Sequence, residues 1–186
     1  KSELEEMVKD LEAQLLDLPT IKDENAKLTE MLARKKESTQ LIMARIIAKP
    51  SESAYDALII DGGIDVGMRV GAKVYARGDM LIGTVIEADQ HASKIKLLST
   101  SAEVTKAVIV GKDIFIDLEG QGGGTFQTTL PRDVIIEKGT TVATVDSGET
   151  IAITEESLAD PRDPFQRILF RSPINVFELR FVGVEK

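Results

Sequence analysis

The strongest constraint on the fold of this chain is a seven-residue repeat of apolar side chains within residues 1–37. One row recurs at every seventh position, and a second apolar row accompanies it. The resulting stripe is too narrow to face a globular core, but it matches the seam along which two helices wind into a left-handed coiled coil. The predicted dimerisation seam comprises Leu4, Val8, Leu11, Leu15, Leu18, Ile21, Asn25, Leu28 and Leu32.

Pro19 and Asn25 modify this predicted stem. Pro19 lacks a backbone donor and clashes with the preceding turn, so we expect a kink, or a restart of the helix with Thr20 as its cap. Asn25 is a polar residue within the seam, where such a residue typically sets register and pairing. The alternative interpretation of residues 1–37 is an amphipathic helix that packs on the β domain of its own chain.

Composition narrows the class of protein. The 186 residues are 42% hydrophobic and 29% charged, as in a soluble folded protein. A net charge of −8 argues against nucleic-acid binding, which needs clustered Lys and Arg. The absence of Cys excludes disulfides and Cys-ligated metals. No apolar run is long enough to span a membrane, and the start within a heptad pattern suggests that a preceding segment was removed.

After residue 40 the pattern changes to short apolar or alternating runs separated by turns, which predicts β-strands. We therefore predict a mainly β fold, with an N-terminal coiled-coil helix followed by two small β-barrels. The predicted boundaries are 1–40 for the helix, 41–111 for the first barrel and 112–186 for the second. The predicted strands lie at 41–48, 57–60, 72–76, 80–88, 93–99, 105–111, 113–118, 125–130, 134–137, 140–145, 150–154, 167–171 and 175–184. Residues 120–124 are expected to form a flexible hairpin tip, and residues 155–166 a loop or short helical turn.

The glycine-rich stretch 61–71 predicts tight turns. Glycine adopts positive φ at little steric cost, so the chain can reverse between strands there. A phosphate-binding loop is not indicated, because no Gly-Lys-Ser/Thr follows and no helix pattern begins. The predicted structural turn residues are Asp61, Gly62, Gly63, Gly67, Gly71, Pro173 and Asn175.

Catalysis is not indicated by the residue types present. The one histidine, His91, lies in a polar turn, and a Ser-His-Asp site would have to combine it with Ser93 or Ser99, which are close in sequence. No spacing typical of a zinc or calcium site occurs. We therefore predict no enzyme activity, no cofactor and no metal.

Several segments in order resemble the rod shape-determining protein MreC family. They are the heptad helix with Glu24-Asn25-x-x-Leu28, ARIIAKPSES at 44–53, ALIIDGGIDVGMRVGAKVYA at 57–76, LIGTVIEA at 81–88, SKIKLLST at 93–100 and RSPINVFELRFVGV at 171–184. At 143–153 the chain has ATVDSGETIAI, which departs from the TSG-type turn and Pro-Gly segment usual in that family.

The resemblance implies a membrane-tethered scaffold of the cell-elongation machinery. The family has a cytoplasmic tail, one helix across the inner membrane, a dimerising coiled coil and two small barrels on the extracytoplasmic (periplasmic) side. It links MreB and MreD to peptidoglycan synthases such as class B penicillin-binding transpeptidases, activates them to maintain rod shape, and self-associates as homodimers and filaments. The alternative is a periplasmic adaptor of an export pump, but adaptors usually carry two antiparallel helices inserted within a β domain.

Overall fold

The structure, a computed structural model, describes residues 2–37, 40–49, 56–77 and 79–186, without the side chains of Ser2 and residues 28–37. Its elements form two compact units, one over residues 1–40 and one over residues 41–186, which we call the head. The strands of the head are β1 (Leu41–Ala48), β2 (Ala57–Asp61), β3 (Lys73–Ala76), β4 (Met80–Ala88), β5 (Ala92–Leu97), β6 (Val104–Ile109), β7 (Ile114–Gly122), β8 (Thr125–Pro131), β9 (Thr141–Thr144), β10 (Thr150–Ala159), β11 (Phe165–Arg171) and β12 (Phe181–Glu185).

The first unit is a single helix, α1, which runs from Ser2 to Glu37 with Pro19 inside it. The expected restart at Thr20 is wrong, because the helix continues through that residue. Its polar surface includes an i,i+4 ion pair in which Lys27 Nζ lies 3.0 Å from Asp23 Oδ2. No helix in the described part of the chain has a stretch apolar enough, and free enough of charge, to cross a membrane.

Six strands close into the first barrel, which we call barrel 1. They follow the order β1, β2, β5, β4, β3 and β12, and the antiparallel pairing of β12 with β1 completes the circle. Side chains alternate between the inside and the outside of each strand, so every second residue fills the interior. The largest fully buried side chains here are Leu58, Ile60, Val74, Val85, Ile95, Val182 and Val184.

The remaining six strands close into a second barrel, barrel 2. They follow the order β6, β7, β8, β11, β10 and β9, and β9 pairs back onto β6. A parallel bridge, Thr150 with Met80, joins β10 to β4 of barrel 1. The largest fully buried side chains of barrel 2 are Ile109, Leu118, Val142, Ile168 and Phe170.

The predicted mainly β fold with an N-terminal helix is confirmed, but the division of the chain between the barrels differs from the predicted boundary at 111/112. β6 belongs to barrel 2, because it pairs with β7 and β9. β12 belongs to barrel 1, because it pairs with β1 and β3. Barrel 2 is therefore inserted into the chain of barrel 1 between β5 and β12.

The extents of several strands also differ from the prediction. Residues 134–137, which the structure describes, lie outside any strand, although Ile136 is buried in the core of barrel 2. β10 continues to Ala159, into the segment expected to be a loop, because it pairs with β11 there. The predicted last strand begins instead with a 3-10 turn, Val176–Glu178, before β12.

A truncation tests the exchange of β12 between the barrels. A chain ending at Pro173 lacks the strand that pairs with both β1 and β3, so barrel 1 should lose its cooperative fold while barrel 2 keeps all six strands. Amide hydrogen exchange should show lost protection in β2, β4 and β5 and retained protection in β6 to β11. Retained protection in barrel 1 would contradict the pairing described here.

Candidate functional site

The predicted dimerisation seam lies on the surface of α1. Its described apolar members, from Leu4 to Ile21, have exposures between 43% for Leu18 and 69% for Leu4. Exposed large apolar side chains in a regular row are costly in water and are typical of an interaction surface. Asn25 is also exposed, whereas the side chains of Leu28 and Leu32 lie outside the described residues.

The glycine-rich stretch forms the connection between β2 and β3. Gly62, Gly67 and Gly71 have φ values of +137°, +93° and +89°, as expected for turn glycines. Gly67 ends a 3-10 turn, Ile64–Val66, and its N–H donates to the carbonyl oxygen of Ile64. Asp61 is not in the turn as predicted but is the last residue of β2, where it pairs with Ala92. Its carboxylate accepts the backbone N–H of Arg45 and lies 3.4 Å from the Arg45 Nε.

Gly63 is required for a different reason from the one predicted. Its φ of −136° is open to any residue, so the expectation of positive φ is wrong there. A Cβ at this position would lie 1.9 Å from the carbonyl oxygen of Asp89. The absence of a side chain lets the 61–71 stretch approach the β4–β5 connection closely.

The two predicted turn residues near the end of the chain lie between β11 and β12. Pro173 is in a bend. Asn175 caps the 3-10 turn Val176–Glu178, because its side-chain oxygen accepts the N–H of Phe177 at 3.1 Å. Both residues therefore lie in one of the two connections between the barrels.

The most concentrated polar chemistry in the head lies where the barrels meet, at a set of residues we call the junction cluster: Lys73, Tyr75, Asp146, Ser147 and Glu149. Tyr75 Oη donates to Glu149 Oε1 at 2.5 Å, and Lys73 Nζ donates to Glu149 Oε2 at 3.1 Å. Ser147 Oγ also donates to Glu149 Oε2, at 2.7 Å. Since Lys73 and Tyr75 lie on β3 of barrel 1 and Glu149 lies between β9 and β10 of barrel 2, the cluster ties the barrels together.

The surroundings of the cluster shift the pKa values of its members. Burial alone would raise the pKa of the Glu149 carboxyl, but hydrogen bonds from Tyr75, Ser147 and Lys73 outweigh it and lower that pKa. Burial would lower the pKa of Lys73, but the hydrogen bond and charge of Glu149 raise it. The pKa of Tyr75 is raised by burial and by its bond to Glu149. The cluster therefore holds two carboxylates, those of Glu149 and Asp146, together with one ammonium and one neutral phenol across the neutral pH range.

A second polar contact joins the barrels at the hairpin between β7 and β8. Asp56 Oδ2, just before β2, accepts hydrogen bonds from Ser99 Oγ at 2.9 Å and from the N–H of Gly123 at 2.8 Å. The Gly124 N–H donates to Ser99 Oγ at 3.1 Å. The tip expected to be flexible is therefore held against barrel 1 and the connection that follows β5.

Sequence reasoning did not find either contact. Lys73 and Glu149 are 76 residues apart, and Asp56 and Gly123 are 67 apart. Lys, Glu, Asp and Gly are residue types that are common on protein surfaces, and these four residues lie in turns or at outward positions on strands. The one available signal was the crowding of polar residues at 146–149 in the segment that departs from the family pattern.

His91 is a surface residue, as predicted. Its Nδ1 lies 2.9 Å from Asp65 Oδ2, and its side chain is 81% exposed. The two serines considered with it have other partners: Ser93 Oγ donates to the Gly62 carbonyl oxygen, and Ser99 Oγ donates to Asp56.

Among the described residues, no group of three or more His, Asp or Glu side chains is placed to hold a metal ion.

Comparison with known proteins supports one family. The sequence model described as "Rod shape-determining protein MreC, barrel core" matches residues 46–186. No curated protein matches the chain significantly. A solved structure described as MreC is similar to the chain with a TM-score of 0.72 and 16% identity, over 89% of this chain and 99% of the other.

Two further solved structures share the fold. MreC from Listeria monocytogenes has a TM-score of 0.68 and 23% identity, over 95% of this chain and 93% of its own. The "major periplasmic domain from the cell shape-determining filament MreC" has a TM-score of 0.58 and 15% identity, over 80% of this chain and 97% of its own. Across the three structures the likeness covers 80–95% of this chain and 93–99% of the other.

Replacing Glu149 tests the junction cluster. Glu149→Gln should lower the free energy of unfolding at pH 7 by about 1–3 kcal/mol, because it removes the negative charge of the carboxylate that accepts hydrogen bonds from Lys73 and Tyr75. The carboxylate has a folded pKa below its ordinary value of 4.5, so its contribution is complete above that pH and is lost as the pH falls through the folded pKa. Urea unfolding of both proteins at pH 7 and pH 3 should therefore show a difference that shrinks in acid.

Glu87→Gln is the matched control, because Glu87 forms an exposed ion pair with Lys94 on the surface of barrel 1. It should change the unfolding free energy by less than about 1 kcal/mol. Equal effects of the two substitutions at pH 7 would contradict a special role for the junction cluster.

Proposed function

Since this chain belongs to the MreC family of rod shape-determining proteins, we propose that it is a non-enzymatic, membrane-tethered scaffold of the bacterial cell-elongation machinery. In this proposal α1 pairs with α1 of a second copy, and the head positions and activates peptidoglycan synthases. The observation that carries the proposal is the row of exposed apolar residues along a 36-residue helix. A helix of this length reaches about 54 Å, which suits a stem.

The head supports a binding role through its surface side chains. Most strand length in both barrels is paired on two sides. Large apolar side chains are exposed on both barrels, including Met43 and Phe181 on barrel 1 and Phe115 and Ile135 on barrel 2. Such residues are typical anchors of protein interfaces.

The proposed partners are a class B penicillin-binding transpeptidase, the MreB and MreD complex, and further copies of this chain in filaments. The proposed location is the periplasmic side of the inner membrane, to which a single membrane-spanning helix preceding α1 attaches the protein. The family assignment supports these proposals, as does the similarity to a structure described as a periplasmic domain of a filament-forming protein.

The stem predicts a dimer that depends on the seam. Leu11→Asp combined with Leu18→Asp puts four charges into the paired seam and should raise the dimer dissociation constant by at least about 100-fold. Sedimentation equilibrium should then give the mass of a monomer, while circular dichroism of the head remains unchanged. Leu16→Asp is the control, because Leu16 is exposed on the same helix but lies outside the predicted seam. Loss of dimers in that control, or persistent dimers in the double variant, would reject the seam.

The head predicts direct binding of a synthase. Residues 41–186 alone should bind a purified class B transpeptidase from the same bacterium in a saturable way, since the proposed contact surfaces lie on the barrels. Biolayer interferometry with the head, and separately with the monomeric seam variant, distinguishes synthase binding by the head from dimerisation by the stem. If neither binds with the head in excess, the scaffold proposal fails even if the stem dimerises.

A further inference from the structure

The β7–β8 pairing that closes barrel 2 covers only part of the length of the two strands. The two strands pair only at Glu119 with Gln127, Gly120 with Phe126 and Gly122 with Thr125. β7 stays paired with β6 from Ile114 onwards, and β8 stays paired with β11 through Pro131. Residues 114–118 and 128–131 therefore diverge, and each strand keeps one edge without a strand partner over this length.

The backbone of β7 is directed into this gap. Thr128 Oγ1 donates to the carbonyl oxygen of Asp117 at 2.9 Å, so that carbonyl faces β8. Backbone groups of every second residue point to the same side of a strand, so the N–H and C=O of Phe115 face the gap as well. An extended chain placed beside β7 would find donors and acceptors at the spacing that a sheet requires.

The gap opens as a groove of about 600 Å³ on the outer surface of barrel 2. The buried side chains of Ile116 and Leu130 form its floor, and Val145 lies on its rim. Phe115 also borders the groove and is 69% exposed, an unusual exposure for a large aromatic side chain. An occupant would therefore contact both an apolar floor and an aromatic rim.

The charges of the groove favour a basic occupant. Lys106 and Asp117 form an exposed ion pair at its edge. Glu119 also lines the groove, where it accepts a hydrogen bond from Gln127 Nε2 at 3.2 Å, so the lining carries one net negative charge. The chain as a whole has a net charge of −8, which adds to the preference. A cationic side chain could also pack on the exposed Phe115 ring.

We propose that the groove between β7 and β8 receives an extended segment of a partner protein, with alternating apolar and basic side chains, which adds as a strand to the open edge of β7. Main-chain bonds to the N–H and C=O of Phe115 and to the N–H of Asp117, whose carbonyl Thr128 already bonds, would hold the segment. Its apolar side chains would lie over Ile116 and Leu130. This inference rests on the proposed scaffold function and specifies one docking site on the head.

The probe for this site is a C-amidated hexapeptide, Lys-Val-Lys-Val-Lys-Val, labelled with fluorescein at its N-terminus. We expect saturable binding to the full chain by fluorescence anisotropy, at least about tenfold tighter than that of the Glu-Val counterpart. Amide hydrogen exchange of the complex should show new protection at Phe115 and Asp117. A version of the peptide in which every backbone nitrogen is methylated, which cannot donate to β7 in either orientation, should bind at least about tenfold more weakly.

Phe115→Ser should weaken binding of the probe at least about tenfold, whereas Ile135→Ser should leave it unchanged. Both side chains are exposed on barrel 2, but only Phe115 lines the groove. The inference is overturned by absent binding at millimolar peptide, by equal loss in both variants, or by unchanged exchange at Phe115. Protection at Phe115 that rises with protein concentration without peptide would instead identify a second copy as the occupant. The transpeptidase experiment measures binding to the head as a whole, so its result is independent of the outcomes of the peptide experiments.

Discussion

Closure of each sheet by backbone hydrogen bonds is the constraint on which the rest of the head depends. A strand at a free edge exposes unpaired N–H and C=O groups, so a curled sheet is completed only when its first and last strands find partners. In barrel 1 the completing strand is β12, from the end of the chain, which lies between β1 and β3. Barrel 2 is consequently an insertion, and two connections rather than one run between the barrels.

The double connection and the junction contacts explain why two small barrels form one compact unit. An apolar contact between them would tolerate sliding, because dispersion and hydrophobic burial have little directionality. Hydrogen bonds to the half-buried carboxylates of Glu149 and Asp56 are directional, and leaving such a carboxylate without partners is costly. The two carboxylates therefore favour a single relative placement of the barrels, which suits a protein whose proposed work is to hold others at fixed positions.

The sequence predicted local structure much better than pairing. β1 was predicted at its observed bounds because alternation of side chains reports which face a residue occupies. Alternation does not report which strand lies alongside, so the exchange of β12 had no local signal. Residues 134–137 predict a strand because the first three of them are apolar, although only Ile136 enters the core deeply. The close approach at Gly63 and the junction at Glu149 depend on residues far away in the chain, which single-sequence patterns cannot represent.

The gap in barrel 2 begins beyond the contacts that join the barrels. A Cβ at Gly120 would lie 2.3 Å from the carbonyl oxygen of Thr100, so the tip end of β7 is packed tightly against the connection after β5. Asp56 holds the adjacent turn, and pairing with β8 is retained there. Further along, the hydroxyl of Thr128 satisfies the Asp117 carbonyl in place of a backbone donor, and water can reach the rest of the open edge. A docking strand would replace water and break no pairing within the barrel, so the groove can act as a binding edge without unfolding the scaffold around it.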